Sequence, residues 1–283
     1  FNIIKEKNIK LLNNVYFKFF LIFYLLIFLS SILSEYFFYS IKPSLTYLRF
    51  GLFAIATSVI FSKKTENIRH LSKIFIVIFF LLTIDSLTQY LFEYNLLGWK
   101  VEASNFRVTS LFGDDEILGS YIARLFPFFI SILLYSRAKL NFKFSDNLFY
   151  FLFPCAILVT YISGERTSFF LNIISIIIML FTCASLRKVI SLTMISMIIL
   201  LSVITIFDKR IKNRMVNVTI NQLGLSKSSE RPVLFSETYE GHYKVSFNMF
   251  KVKPILGHGV KTFRKYCSKK ENYLSETACT THP

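Results

Sequence analysis

The chain is poor in acid. Its 283 residues hold 17 Asp and Glu against 33 Lys and Arg, a formal net charge of +16. In a soluble protein such a balance raises nucleic-acid binding. Here no stretch joins clustered Lys and Arg to a nucleic-acid fold signature, so no nucleic-acid partner is expected. Cysteine is scarce as well, at four residues. Cys155 and Cys183 sit in apolar runs as ordinary small residues. Cys267 and Cys279 stand twelve positions apart, which makes no recognised zinc pattern but permits a disulfide in an oxidising compartment. Neither a metal nor a cofactor is expected. The first apolar stretch lacks a small-residue cleavage site, so it is not read as a cleaved signal peptide. No internal repeat is visible.

What the chain has in excess is apolar bulk. Hydrophobic residues make up 53% of it, and 33 are Phe. A soluble domain of this length has too little interior to hide so much apolar surface, whereas lipid accepts it. A helix needs about 20 apolar residues to cross the hydrocarbon core, and only helices satisfy their own backbone there. Seven segments qualify, roughly 15–34, 44–62, 74–92, 117–136, 147–163, 167–186 and 188–207. The expectation is an all-α, polytopic membrane protein, with residues 1–207 as the helical bundle. Residues 208–283 follow as a large polar loop with short helices, one of them over Glu240–Val252 and another starting near Phe263.

Lys and Arg alternate between the flanks of these segments. Lys5, Lys7 and Lys10 precede the first, Lys63, Lys64, Arg69 and Lys73 follow the second, and Arg137, Lys139 and Lys143 follow the fourth. Arg187 and Lys188 precede the seventh, and the intervening flanks are poorer. The positive-inside rule then puts the N-terminus in the cytoplasm and residues 208–283 outside. The chain opens on Phe1 rather than Met and closes on Cys279-Thr280-Thr281-His282-Pro283 with no terminal helix. Both ends are expected to be cuts in a longer membrane protein.

Ionisable groups inside spans are functional candidates by default. Arg49 lies near the start of the second segment, Arg124 about two turns into the fourth, and Arg166 at the tight turn Ser163-Gly164-Glu165-Arg166-Thr167. Asp85 and Gln89 lie one turn apart in the third, on a shared face. The predicted topology brings all five to a similar depth near the outer boundary. Guanidiniums there suit a lipid-linked phosphate or diphosphate, because Arg keeps its charge and offers a planar fork to phosphate oxygens. Simpler roles stay open: Arg49 as a snorkelling side chain, Arg124 as the ion-pair partner of Asp85, and Arg166 as a solvated turn residue. Asp114, Asp115 and Glu116 read as an acidic first turn rather than a metal cluster. Gly257 and Gly259, in Pro254-Ile255-Leu256-Gly257-His258-Gly259, allow close backbone approach and a possible anion nest. His242, His258 and His282 are the histidines on the outer side, His70 being cytoplasmic in this topology.

Several segments carry a family likeness in their order. Arg107-Val108-Thr109-Ser110-Leu111-Phe112-Gly113 leads into Gly119-Ser120-Tyr121. Ser163-Gly164-Glu165-Arg166-Thr167-Ser168 follows, then Pro254 to Gly259 with Phe263, and finally Thr281-His282-Pro283. This series, on many spans with one large loop, resembles the O-antigen ligase family and its related O-antigen polymerases, from about Arg107 onward. The resemblance implies a GT-C-like glycosyltransferase of the bacterial inner membrane, working without a metal. Its donor would be an undecaprenyl-diphosphate-linked glycan, and its acceptor the lipid A core in ligases or another repeat unit in polymerases. It implies a catalytic role for Arg166, and diphosphate contacts by Arg166 and Arg124, with Arg49 as a further candidate. Asp85, Gln89, Glu165, Gly257, Gly259 and His282 would support the site. In the family the motif continues as His-Pro-His-Asn, so the expected catalytic His lies beyond Pro283 and this piece alone is expected to be inactive. A transporter or flippase of lipid-linked glycan is the reading from another class, and it would call for charges through the whole membrane depth and for internal repeats.

Overall fold

The computed structural model describes residues 15–63, 66–101, 106–140, 147–223, 225, 237–269 and 279. The described residues are helical apart from turns and one isolated antiparallel bridge, Tyr94 with Lys100. Seven apolar helices occupy the seven expected places: α1 (Val15–Ile32), α2 (Phe37–Lys63), α3 (Glu66–Phe92), α4 (Leu118–Lys139), α5 (Asn147–Ile162), α6 (Arg166–Thr182) and α7 (Arg187–Phe207). Short pieces follow: α8 (Lys209–Ile211), a π-turn (Lys212–Asn217), α9 (Val218–Gln222), α10 (Glu237–Val252) and α11 (Phe263–Cys267). Lys5, Lys7, Lys10, Lys64, Lys143 and His282 lie outside the described residues.

Five of these helices, α1 to α4 and α7 with its leading turn, are long and apolar enough to cross a membrane, compatible with a multi-pass membrane protein. The expectation of seven full-length spans is met only at this coarser level, because α5 and α6 have 16 and 17 residues. At 1.5 Å per residue these reach roughly 24–26 Å. Composition explains α5: it is apolar on every side, and Leu152, Phe153, Ala156, Ile157 and Ile162 are fully buried, as a central core helix requires.

Contacts divide the chain into two units, and the division differs from a bundle of 1–207 followed by a loop. One unit joins Phe1–Lys64 with Gln222–Pro283; the other is Thr65–Asn221. In the first, α1 and α2 form a hairpin through Leu33–Tyr36. α2 begins seven residues earlier than hydropathy indicates and carries Pro43 inside it. Arg49 therefore lies in mid-helix, about 18 Å from the start of α2, not near its beginning. In the second unit α4, α5 and α6 pack around an apolar core that includes Phe126, Phe129, Leu133, Phe149 and Ile176, with α3 and α7 alongside. α3 starts eight residues before the predicted span. Its polar flank still coils because Glu66 stands in the first turn, where the helix dipole favours an acid.

Candidate functional site

In the second unit the ends of α3, α5 and α7 and the starts of α4 and α6 gather at one end of the bundle. Their meeting point is the turn Ser163–Arg166. Gly164 takes φ +69°, and a Cβ there would lie 3.2 Å from the Phe106 carbonyl oxygen, 3.3 Å from Arg214 Cγ and 3.4 Å from Arg107 Cγ. Glycine is thus required by both conformation and space. Two chain segments, one around Arg107 and one on the π-turn, press their arginines against this backbone.

Arg214 donates from Nε to the Gly164 carbonyl at 3.2 Å. Arg166, the first residue of α6, donates to Thr219 Oγ1 at 3.4 Å, one turn further along the same segment. Arg107 is ion-paired to Glu116, while its Nε is buried without a hydrogen-bond acceptor. Burial, and then the like charges of Arg107 and Arg166, push the Arg214 guanidinium below its ordinary value, with Glu116 opposing. Three guanidiniums are therefore held within mutual influence around one turn, each half-buried. Such a cluster suits an anion, because a bound negative charge offsets the mutual repulsion of the guanidiniums.

Glu165 does not neutralise the cluster, because its carboxylate faces another helix. Oε1 accepts from the Gly119 N–H at 2.7 Å, and Oε2 accepts from the Ser120 N–H at 3.0 Å and from Ser168 Oγ at 2.8 Å. The N-cap position of α4 is Ile117, which has no side chain able to cap. Glu165 supplies that cap from outside, satisfying two of the orphan donors at the helix start. Gly119 makes room for it: a Cβ there would fall 2.5 Å from Ser163 Oγ.

Asp85 and Gln89 are fully buried, and they anchor the loop after α3. Asp85 Oδ1 accepts from the Leu96 N–H at 2.8 Å, and Oδ2 from Ser110 Oγ at 2.6 Å. Gln89 Oε1 accepts from the N–H groups of Thr109 and Ser110 at 2.9 and 2.6 Å. These bonds hold Ser110 at φ +54°, and Phe106 nearby takes +36°. Both are uncommon values for residues with side chains and signal a backbone fixed by its surroundings. From the side, Tyr90 donates to Asp208 at 2.8 Å, and the Arg210 guanidinium covers the Phe106 ring at 4.2 Å while pairing with Glu93 at 2.8 Å. Burial raises the Asp208 carboxyl, but hydrogen bonds from Arg210 and Tyr90 outweigh it and hold the group below the usual carboxylate range.

Of the five polar groups expected to converge, Arg166 joins the cluster and Asp85 with Gln89 position the loop that carries Arg107. Arg124 is exposed on α4, with no ion pair or side-chain hydrogen bond among the described residues, so it is not the partner of Asp85. Arg49 belongs to the other unit, where it is exposed and lies over the Phe50 ring at 5.0 Å. Asp114–Glu116 precede α4 instead of forming its first turn, since the helix starts at Leu118 and Glu116 is taken by Arg107. Arg107 and Arg214 are the members that the sequence did not single out for a site. A signal existed for Arg107, which opens the segment leading to Gly113, but Arg214 sits among many basic residues and nothing marks it.

In the first unit, Gly257 and Gly259 do not form an anion nest. The Gly257 N–H is spent on the Lys253 carbonyl at 3.1 Å. Gly259, at φ +100°, backs onto Ser34 and Ser40, whose side chains would lie 2.7 Å from a Cβ. His258 hydrogen-bonds Met249 O through Nε2 at 2.9 Å and packs on the Tyr266 ring, and His242 is buried beside Phe263. Cys267 and Cys279 form a disulfide with Cα atoms 5.6 Å apart. Among the described residues no group of three or more His, Cys, Asp or Glu is placed to hold a metal ion.

No protein-family model matches this chain, and neither a curated protein nor a solved structure is significantly similar to it.

Proposed function

We propose that this chain belongs to a GT-C-like membrane glycosyltransferase of the O-antigen ligase type. It would move an undecaprenyl-diphosphate-linked glycan to an acceptor sugar, such as lipid A core, at the periplasmic face of the bacterial inner membrane. The observation that carries the reading is the meeting of Arg107, Arg166 and Arg214 on the Gly164 turn, with a buried unused donor on Arg107. In this reading α5 and α6 complete seven spans, the N-terminus is cytoplasmic, and residues 208–283 are periplasmic, in line with the alternation of Lys and Arg between flanks.

The chemistry follows from charge. An acceptor hydroxyl attacks the anomeric carbon, the bond from that carbon to the diphosphate oxygen breaks, and a base takes the hydroxyl proton. Polyprenyl diphosphate departs carrying the electron pair. Negative charge on the leaving oxygen grows as the bond breaks, so fixed guanidiniums there stabilise the transition state more than the bound donor. Arg166 stands on the first turn of α6 and Arg214 is hydrogen-bonded to the turn itself, so neither has to reorganise when that charge appears. A polymerase would use the same site with a second glycan as acceptor.

The test is transfer by the full-length protein in proteoliposomes containing a polyprenyl-diphosphate-linked glycan and a glycolipid acceptor. Arg166→Lys and Arg214→Lys are each expected to cut transfer by about a hundredfold, the scale for losing one preorganised transition-state donor, with expression and folding retained. Near-normal transfer by both variants would remove the arginines from the mechanism. Passage of glycan across the membrane without a new glycosidic bond would turn the assignment to a transporter.

A further inference from the structure

We infer that α10 is an interfacial helix that lays an aromatic face into the surface of an anionic phospholipid bilayer. The inference is independent of the transferase reading, since it uses only the first unit. α10 is fixed there at the level of a membrane-helix hairpin. α1 and α2 both have the length and composition to cross a bilayer, and their junction, Leu33–Tyr36, must therefore lie at a bilayer boundary. That junction holds the segment after α10. Ser34 Oγ donates to the His258 carbonyl at 2.6 Å, Glu35 pairs with Lys269 at 2.6 Å and Lys253 at 3.7 Å, and the Tyr36 and Tyr266 rings meet edge to face at 5.1 Å. α10 is tied to the same point by the hydrogen bond between His258 and Met249, and by Val245 and Met249 packing with Tyr266 and Cys267.

Among the described residues, one side of α10 faces this packing. His242, Val245 and Met249 are buried. Tyr239, Tyr243, Phe247 and Phe250, at spacings of four, four and three, form a different stripe, and each is more than half exposed. Ile255, just past the helix end, is 91% exposed. Lys244 and Lys251 flank the stripe, and Lys251 Nζ lies 4.6 Å from the Phe247 ring centroid. Aromatic residues on one face with lysines at its edge are the composition of a helix lying in the headgroup region, where the rings enter the acyl boundary and the ammonium groups reach phosphate. The lysines choose the lipid: each basic side chain near an anionic surface contributes about 1 kcal/mol, roughly fivefold in partitioning.

The chain has a single Trp, Trp99, which makes the test simple. In full-length protein with Trp99 and every other native Trp replaced by Phe, a Trp is placed by Phe247→Trp, and in a second protein by Asn248→Trp on the polar side. Both are reconstituted with brominated phospholipids, with and without phosphatidylglycerol. Emission from position 247 is expected to be blue-shifted and quenched at least twofold by the bromines, and position 248 to be quenched instead by aqueous iodide. Lys244→Gln with Lys251→Gln should reduce the phosphatidylglycerol-dependent part of the lipid quenching by tenfold or more. Equal iodide access at 247 and 248 would overturn the inference. So would a site at 247 shielded from bromine and iodide alike, which would show that protein covers the stripe.

Discussion

Glu165 provides the sharpest check on how the site is held. Its carboxylate accepts three hydrogen bonds, from the Gly119 and Ser120 N–H groups at the start of α4 and from Ser168 Oγ in α6. Losing an N-cap interaction costs about 1 kcal/mol, and hydrogen bonds to a charged group fall toward the upper end of the range for such bonds. Removing the whole carboxylate by Glu165→Ala should therefore destabilise the second unit by about 3 kcal/mol. Glu165→Gln keeps one acceptor oxygen but loses the charge and one backbone bond, for about 1–2 kcal/mol. A loss of 1 kcal/mol lowers Tm by about 2–4 °C in a chain of 150–250 residues. In detergent, followed by far-ultraviolet circular dichroism, Glu165→Gln should melt about 2–8 °C lower and Glu165→Ala lower still. If Glu165 instead acted on substrate from the cluster, both variants would keep the parent Tm and lose only transfer. Tm values within 1 °C of the parent for both would refute the capping argument.

Three further outcomes are expected. Asp85→Ala leaves the Leu96 N–H and the Ser110 hydroxyl without their acceptor; the cost of about 2–3 kcal/mol should show as faster hydrogen exchange at Leu96, with α5 amides unchanged. Gly259→Ala would place a Cβ 2.7 Å from the Ser34 and Ser40 side chains at φ +100°, so we expect at least about 2 kcal/mol of destabilisation, read as a lower Tm with exposure of the Cys267–Cys279 disulfide to reductant. Asp208 has a folded pKa below its ordinary value of 3.8. Its contribution is complete above that value and is lost as pH falls through the lower folded pKa; stability should be indifferent to Asp208→Asn in its slope between pH 5 and 7, while the acid-induced loss below about pH 4 should shrink in the variant.

Hydropathy located every long helix, because a helix in an apolar surrounding must be continuous and predominantly apolar over its length. It misplaced the ends. α2 runs seven residues further back, through Pro43, and α3 eight residues further back, through Glu66 and Arg69, because helix ends are set by backbone hydrogen bonds rather than by contact with lipid. Segment 147–163 is the shortest and most marginal of the seven, and α5 proves to be a short helix with most of its residues buried. At the site, the Gly164-Glu165-Arg166 turn stood out because a plain linker between apolar helices needs neither Glu nor Arg. What Glu165 does there was not legible: a capping residue is expected to serve its own helix, and this one serves α4, 46 residues back along the chain.

The order of apolar runs, the basic flanks and the charged turn are properties of the sequence by itself, since each depends on neighbouring residues and on the free energy of placing them in lipid or water. The gathering of Arg107, Arg166 and Arg214 is not. Those residues come from a loop, a helix start and a π-turn, and they meet because Gly164 lets the Phe106 backbone and the Arg107 and Arg214 side chains approach, Asp85 and Gln89 fix the loop, and Glu165 joins α4 to α6. The same holds for α10, which the sequence marks only as a short helix over Glu240–Val252, without saying which face is covered. Packing of His242, Val245 and Met249 decided that, leaving the aromatic stripe outward. Long-range contacts of this kind carry no local signal, so only the tertiary structure decides them.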